Sequence, residues 1–279
     1  MKYLKKCLQL LIALLMVCIV SACSDDPSTA PEPEEDAPEL PGSVIPVQID
    51  LGYFAAQNVP LEEEYSNFLM IKMMAETSGS MLNSGGNFLA PVSEFLGMAG
   101  LFGVEPVHNN GTWSWTFQVP SDFLGDFYDD PSDAQDAVIR ILGTPSGNSI
   151  DWEVLFTGLL YDVQVSDFTF MTGTLSLDEL SGEWKLFSPE EEVNSEVSVL
   201  TYSWQIDSDE NYGASVLIEY MGDVFSIDYT RNGPNNEISF NDGDTTQTFN
   251  WDTNAHSGVI TTADGTSLCY ENFINTECS

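Results

Sequence analysis

The chain has 279 residues, 44 of them acidic against 7 lysines and arginines, for a formal charge of −37. A surface so anionic repels phosphate backbones and anionic lipid headgroups, which excludes nucleic acid and electrostatic docking on a charged bilayer. With 43% hydrophobic residues, the length suffices for one large domain or two small ones with a real core.

Lys2, Lys5 and Lys6 open the chain, and Leu8 to Val20 is almost unbroken apolar sequence. That run is shorter than the ~20 residues needed to span a bilayer and reads as the h-region of a secretion signal. Val20-Ser21-Ala22-Cys23 follows directly. Charge, apolar run and small residues before a cysteine, in this order, resemble the lipobox signal of bacterial lipoproteins. The resemblance covers only the first 26 or so residues. It implies that residues 1–22 are removed as a signal peptide, that Cys23 is acylated, and that the N-terminal lipid holds the protein to a membrane. Ser24 departs from the aspartate associated with inner-membrane retention, so the expected location is the outer membrane. Ser24-Asp25-Asp26 also resembles the acidic export signal of surface-exposed Gram-negative lipoproteins.

Without residues 1–22, Lys72, Arg140, Lys185 and Arg231 are the only four basic residues against all 44 acids, a formal charge of −40. The acids are spread along the whole chain, which favours adaptation to high salt over one dedicated cation site. In molar salt the Debye length shrinks to ~3 Å and self-repulsion is screened. Cys7 and Cys18 leave with the signal and Cys23 carries lipid, so Cys269 and Cys278 remain as an even pair in an oxidising compartment. A disulfide between them closes a short C-terminal loop, contributing ~2–3 kcal/mol in the chain-entropy model.

Residues 23–44 form the expected tether. Its stretch from Ser24 to Val44 holds five prolines and seven acids and no aromatic residue, so it buries too little apolar surface to fold. A β-rich domain is expected over 45–279. Val44 to Phe54 alternates as a first strand would, through Val47, Ile49 and Leu51. A helical layer is expected over about 58–103. Asn58 caps a first helix, with Pro60 and Glu62 to Glu64 in its first turn. Ser78-Gly79-Ser80 and Ser84-Gly85-Gly86 break it, and a second helix runs from Phe88 to Phe102 with Pro91 in its first turn.

From Gly111 the period becomes two, giving strands over about 111–270. Trp113, Trp115, Phe117 and Val119 share one face, and Trp152, Trp184, Trp204 and Trp251 recur in later runs with the same alternation. Turn signals separate them, among them Ser146-Gly147-Asn148, Asn232-Gly233-Pro234 and Asp242-Gly243-Asp244. The short spacings favour consecutive antiparallel hairpins, since parallel strands need long crossovers. The fold class is therefore mainly β with minor α: an antiparallel meander, as a curled sheet or partly open barrel, with an N-terminal helical layer. In outline this is similar to the half-open barrels of the lipoprotein-carrier family, an architectural likeness that fixes no function.

Catalytic patterns are scarce. His108 and His256 are the only histidines and both lie in loop-like sequence. A Gly-x-Ser-x-Gly elbow, a His-Glu-x-x-His helix and a phosphate-cradling loop are missing. Two carboxylates some 5–10 Å apart would serve a glycosidase, but among 44 acids such a pair arises by chance. Asp207, Asp209 and Asn211 resemble the start of an EF-hand loop, yet Tyr212 holds the glycine position and Ile218 the position of the bidentate glutamate.

The expected function is that of a lipid-anchored, non-catalytic envelope protein that binds or scaffolds and needs no cofactor. Its candidate site is an apolar groove in which Met70, Met73 and Met74 face Trp113, Trp115 and Trp152. The alternative is a surface module that stacks sugars on exposed tryptophans, and the third reading is a carboxylate-dependent hydrolase. Charge alone predicts that the mature protein melts at a lower temperature in dilute buffer than in molar salt; equal melting temperatures contradict the salt-adaptation reading.

Overall fold

In a computed structural model of the chain, the described residues are 36–41, 47, 51–101, 103–121, 136–160, 163–189, 198–220 and 222–278. Two units are distinguished, Met1–Asp36 and Ala37–Ser279, and every element below lies in the second. A short helix α1 (Gly52–Ala55) and a 3-10 turn (Glu63–Tyr65) precede one long helix α2 (Ser66–Leu101). Fourteen strands follow: β1 (Val107–Asn109), β2 (Thr112–Val119), β3 (Ala137–Ser146), β4 (Ser149–Leu160), β5 (Val163–Ser176), β6 (Ser181–Leu186), β7 (Leu200–Ser208), β8 (Asn211–Tyr220), β9 (Asp223–Asn232), β10 (Asn235–Asn241), β11 (Thr246–Asp252), β12 (Ser257–Thr261), β13 (Ser267–Glu271) and β14 (Ile274–Thr276). They form a single unclosed sheet in strict chain order, each strand antiparallel to the next. The meander expected from the hairpin spacings is the fold.

The sheet curls because its two faces differ. Helix α2 touches β2 and β8 as well as β11 to β14, so strands from both ends and the middle of the sheet meet it. Phe68, Ile71, Ala75 and Leu82 form its sheet-facing stripe, and all are buried. They join the inward residues of the strands in one continuous core.

The inner face is built from rings laid over glycines. One register row reads Trp113, Gly143, Trp152, Gly173, Trp184, Tyr202 across β2 to β7. A Cβ on Gly143 would stand 2.9 Å from the Trp152 ring, and one on Gly173 would collide with Trp184. Gly182 receives Trp204 in the same way, at 2.6 Å, and Gly258 receives Tyr270. Each missing side chain lets a neighbouring ring lie flat on the backbone, so the concave side fills without splaying the strands. The Trp184 indole N–H has no acceptor among the described residues, a cost of about 1–3 kcal/mol that the buried ring offsets.

Aspartates close several turns. Asp242 accepts the amide and hydroxyl of Thr245, Asp252 accepts the amides of Asn254 and Ala255 at 2.7 Å each, and Asp264 accepts the Thr262 hydroxyl and the Thr266 amide. These are side-chain turns of the kind that short acids favour. The Thr262 hydroxyl, with the Thr266 amide behind it, holds the Asp264 carboxyl down at about 2. A lowered pKa stabilises the fold above the carboxyl's unfolded value, and that contribution is lost as pH falls through the folded one.

Four expectations change. Leu51 to Ala55 is not strand where described: Gly52–Ala55 is a helical turn that buries Phe54, while 44–46 and 48–50 lie outside the described residues. The expected helix pair is one helix, and it starts at Ser66 instead of Asn58. Gly79 does not break it because it is a contact point: a Cβ there would meet Leu51 Cδ1 at 3.1 Å. Tertiary packing outweighs the ~1 kcal/mol helix penalty of a glycine, and Pro91 falls inside the span instead of in a first turn. Within the stretch expected to be tether, Ala37 and Leu40 pack on the core and Pro41 is buried. Proline and alanine lose little side-chain entropy on ordering. No described helix is long and apolar enough to cross a membrane.

Gly173→Ala is expected to destabilise the protein by about 1–3 kcal/mol through overpacking against Trp184. Gly97→Ala, whose Cβ would have nothing within 4 Å, should be neutral or stabilise by up to about 1 kcal/mol. Urea titration of both variants checks the pair, and equal effects would contradict the role given to Gly173.

Candidate functional site

The structure does not assemble the expected methionine–tryptophan groove. Met70 and Met73 are 39% and 57% exposed, on the side of α2 turned from its core stripe, and only Met74 packs against the core. Trp115 and Trp152 are 4% and 3% exposed and pack on each other, with ring centres 5.9 Å apart. Trp113 is half-buried, and His108 is stacked with it at 4.5 Å. The cause is the helical period: positions 68, 71, 75 and 82 take the buried stripe and leave 70 and 73 outside it. Trp184, Trp204 and Trp251 are buried too, which leaves half-buried Trp113, with His108 stacked on it, as the one tryptophan that reaches the surface.

Cys269 and Cys278 form the expected disulfide, with Cα atoms 5.2 Å apart. It ties β13 to the chain after β14, whose Asn275 accepts the Asn67 amide and donates to Ser66 Oγ at the start of α2. Cys23 lies outside the described residues. The EF-hand-like residues sit in the β7–β8 hairpin. Asp207 accepts a hydrogen bond from Gln205, Asn211 Oδ1 accepts the Gly233 amide, and Asp209 is exposed in the turn. They do not converge, and among the described residues no group of three or more histidines, cysteines and carboxylates is placed to hold a metal ion.

What the structure does bring together lies at one end of β11 to β13. The Tyr53 ring from α1 stacks on His256 at 6.0 Å, and its hydroxyl lies 3.4 Å from His256 Nδ1. Phe54 packs on Trp251 at 5.2 Å, and Phe273 lies 5.1 Å from the His256 ring. His256, Asn272 and Phe273 have φ of 52°, 49° and 71°, left-handed values that cost about 1–3 kcal/mol each when a non-glycine residue is held there. Burial raises the Tyr53 hydroxyl above its usual pKa, the neighbouring Tyr270 hydroxyl opposes this, and the Asp252 charge adds to it. Tyr270 is raised in turn by burial, then by Tyr53 and Asp252. Sequence reading took His256 for a loop residue. Its link to Tyr53 spans 203 positions and has no local signature.

Beside this cluster a shallow cleft of about 600 Å³ crosses the sheet's outer face from β10 to β14. Asn235, Asn236, Asn250, Ser257 and Thr276 supply its polar lining together with the carboxylates Asp252, Glu271 and Glu277. Two register rows frame it: Asn235–Asp252–Ser257–Glu271 and Asn250–Val259–Cys269–Thr276. Ala255 and Val259 add apolar surface among these groups, so the site can hold a molecule both by hydrogen bonds and by apolar contact. The hydrogen bonds from Asn254 and Ala255 fix the Asp252 carboxylate.

Neither a protein-family model, nor a curated protein, nor a solved structure matches this chain.

The buried phenols predict an alkaline limit to stability. Tyr53, Tyr202 and Tyr270 have raised pKa values in the fold, so the stability they contribute is present below the unfolded tyrosine value of about 10 and is lost as pH rises above it. Phenolate absorbance should show these three ionising only together with loss of the β-sheet circular dichroism signal. Free titration of Tyr53, Tyr202 and Tyr270 at about pH 10 in the folded protein contradicts their raised pKa values.

Proposed function

We propose that the protein is a lipid-anchored, non-catalytic scaffolding or adhesive binding protein of the bacterial outer membrane, held there by an acyl chain on Cys23. The observation that carries the non-carrier part of this reading is the filled concave face: helix α2 and the inward rings occupy the space a lipid cargo would need. The sequence Val20-Ser21-Ala22-Cys23 supports the anchor. Residues 24–36 give the tether a reach of ~40 Å at ~3.1 Å per residue when extended, enough to hold the folded unit clear of headgroups it would repel.

Two observations weigh against the alternatives. Sugar stacking on a row of exposed tryptophans lacks the row, since five of the six are buried. For the hydrolase, the cleft does hold the carboxylates Asp252 and Glu271, but Asp252 Oδ1 already accepts the two amides that close its own turn. Mass spectrometry of the protein extracted from native membranes should find residues 1–22 removed and fatty acyl groups on Cys23, and Cys23→Ser should release the protein into the soluble fraction. An unmodified Cys23, or a chain that retains its first 22 residues, overturns the proposal.

A further inference from the structure

Register and chemistry on the outer face of β10 to β14 combine into more than a dent. The cleft crosses five strands, a span of about 19 Å at ~4.8 Å per strand. Its two framing rows lie two residues apart along each strand, hence ~7 Å apart. The result is a trough, long in the direction across the strands and narrow along them. Amides and hydroxyls line it, with Asn250 and Thr276 on one bank and Asn235 and Ser257 on the other. Asp252 and Glu271 flank Ser257 in the same row, and Glu277 adds a third carboxylate to the lining.

The walls are fixed in advance. The disulfide locks Cys269 in one bank, Asp252 is held by two turn amides, and Asn67 Nδ2 ties the Cys269 carbonyl to α2. Gly258 is buried with the Tyr270 ring against it on the inner side, which keeps this stretch of floor rigid. Preorganised donors and acceptors lose little entropy on binding, and that favours a ligand met through many hydrogen bonds.

We infer that this trough binds a linear, uncharged, hydroxyl-rich saccharide of three to four rings, seated across β10 to β14. Vicinal hydroxyls donate to Asp252 and Glu271 and accept from Asn250 and Ser257, which matches an amide, hydroxyl and carboxylate lining. Anionic glycans are rejected by the carboxylates and by the field of the whole chain. The inference deepens the adhesive reading above by naming its ligand class, and its test is independent of the lipid anchor.

The experiment is a titration of the mature full-length protein with neutral hexasaccharides of glucose in β-1,4, β-1,3 and α-1,4 linkage, and with an alginate hexamer as the anionic control. Calorimetry gives the affinity, and backbone amide chemical shifts locate the site. At least one neutral hexamer should bind, with shifts confined to Asn250, Ser257, Glu271, Thr276 and their neighbours, while alginate should not. Asn250→Ala and the isosteric Glu271→Gln should each weaken binding roughly threefold to tenfold, the effect of losing one hydrogen bond. The melting temperature should be unchanged, and Gln205→Ala, far from the trough, should bind as the parent does. Absence of shifts at these amides with millimolar neutral hexamers overturns the inference, as does binding by both trough variants equal to the parent, or preference for alginate.

Discussion

The structure depends on aromatic rings lying flat over glycines of the adjacent strand. In the row from Trp113 to Tyr202, rings and glycines alternate across β2 to β6, and the same pairing returns at Gly182 with Trp204 and at Gly258 with Tyr270. A glycine in a strand costs about 0.5–1 kcal/mol in chain entropy. A ring that buries 150–250 Å² returns about 4–6 kcal/mol at ~25 cal/mol/Å², an upper bound. The exchange favours a concave face of large rings set close to the backbone, so the sheet curls onto α2 and the interior is solid.

Among the described residues the concave face is filled, so the outer face is where a binding surface is sought. Met70 and Met73 show the same rule from the helix: α2 gives one stripe to the core and leaves these side chains beyond it. The strands pass their polar residues outward, and in β10 to β14 the outward residues form a trough rather than a smooth surface. The acidity serves the fold as well as solubility, because Asp242, Asp252 and Asp264 each close a hairpin turn.

Much of the sheet was legible in the sequence, since an alternating face is a local property. Trp113 to Val119 announces its buried side without reference to any partner, and Asp-Gly or Asn-Gly pairs mark hairpins wherever they occur. The disulfide was legible by counting. Local rules failed where a distant contact decided. Gly79 reads as a break until Leu51 is seen to pack on it, and Phe54 reads as strand until Trp251 and Phe68 draw it into a helical turn. The groove failed for a different reason: periodicity separates an inner from an outer face but does not say which apolar residues of a helix fall outside the stripe. The cluster of Tyr53, His256 and Tyr270 and the trough beside it had no signal in sequence, because register alone brings their residues together.

Collisional quenching of tryptophan fluorescence, in a Trp113→Phe variant, tests the central claim most directly, since the other five of the six tryptophans are buried on the inward rows. With iodide and acrylamide in molar salt, a solid interior predicts blue-shifted emission and weak quenching by both agents, with full quenching only after unfolding. Emission that is readily quenched by acrylamide in the folded protein would show an open, solvent-filled concave face and contradict the account.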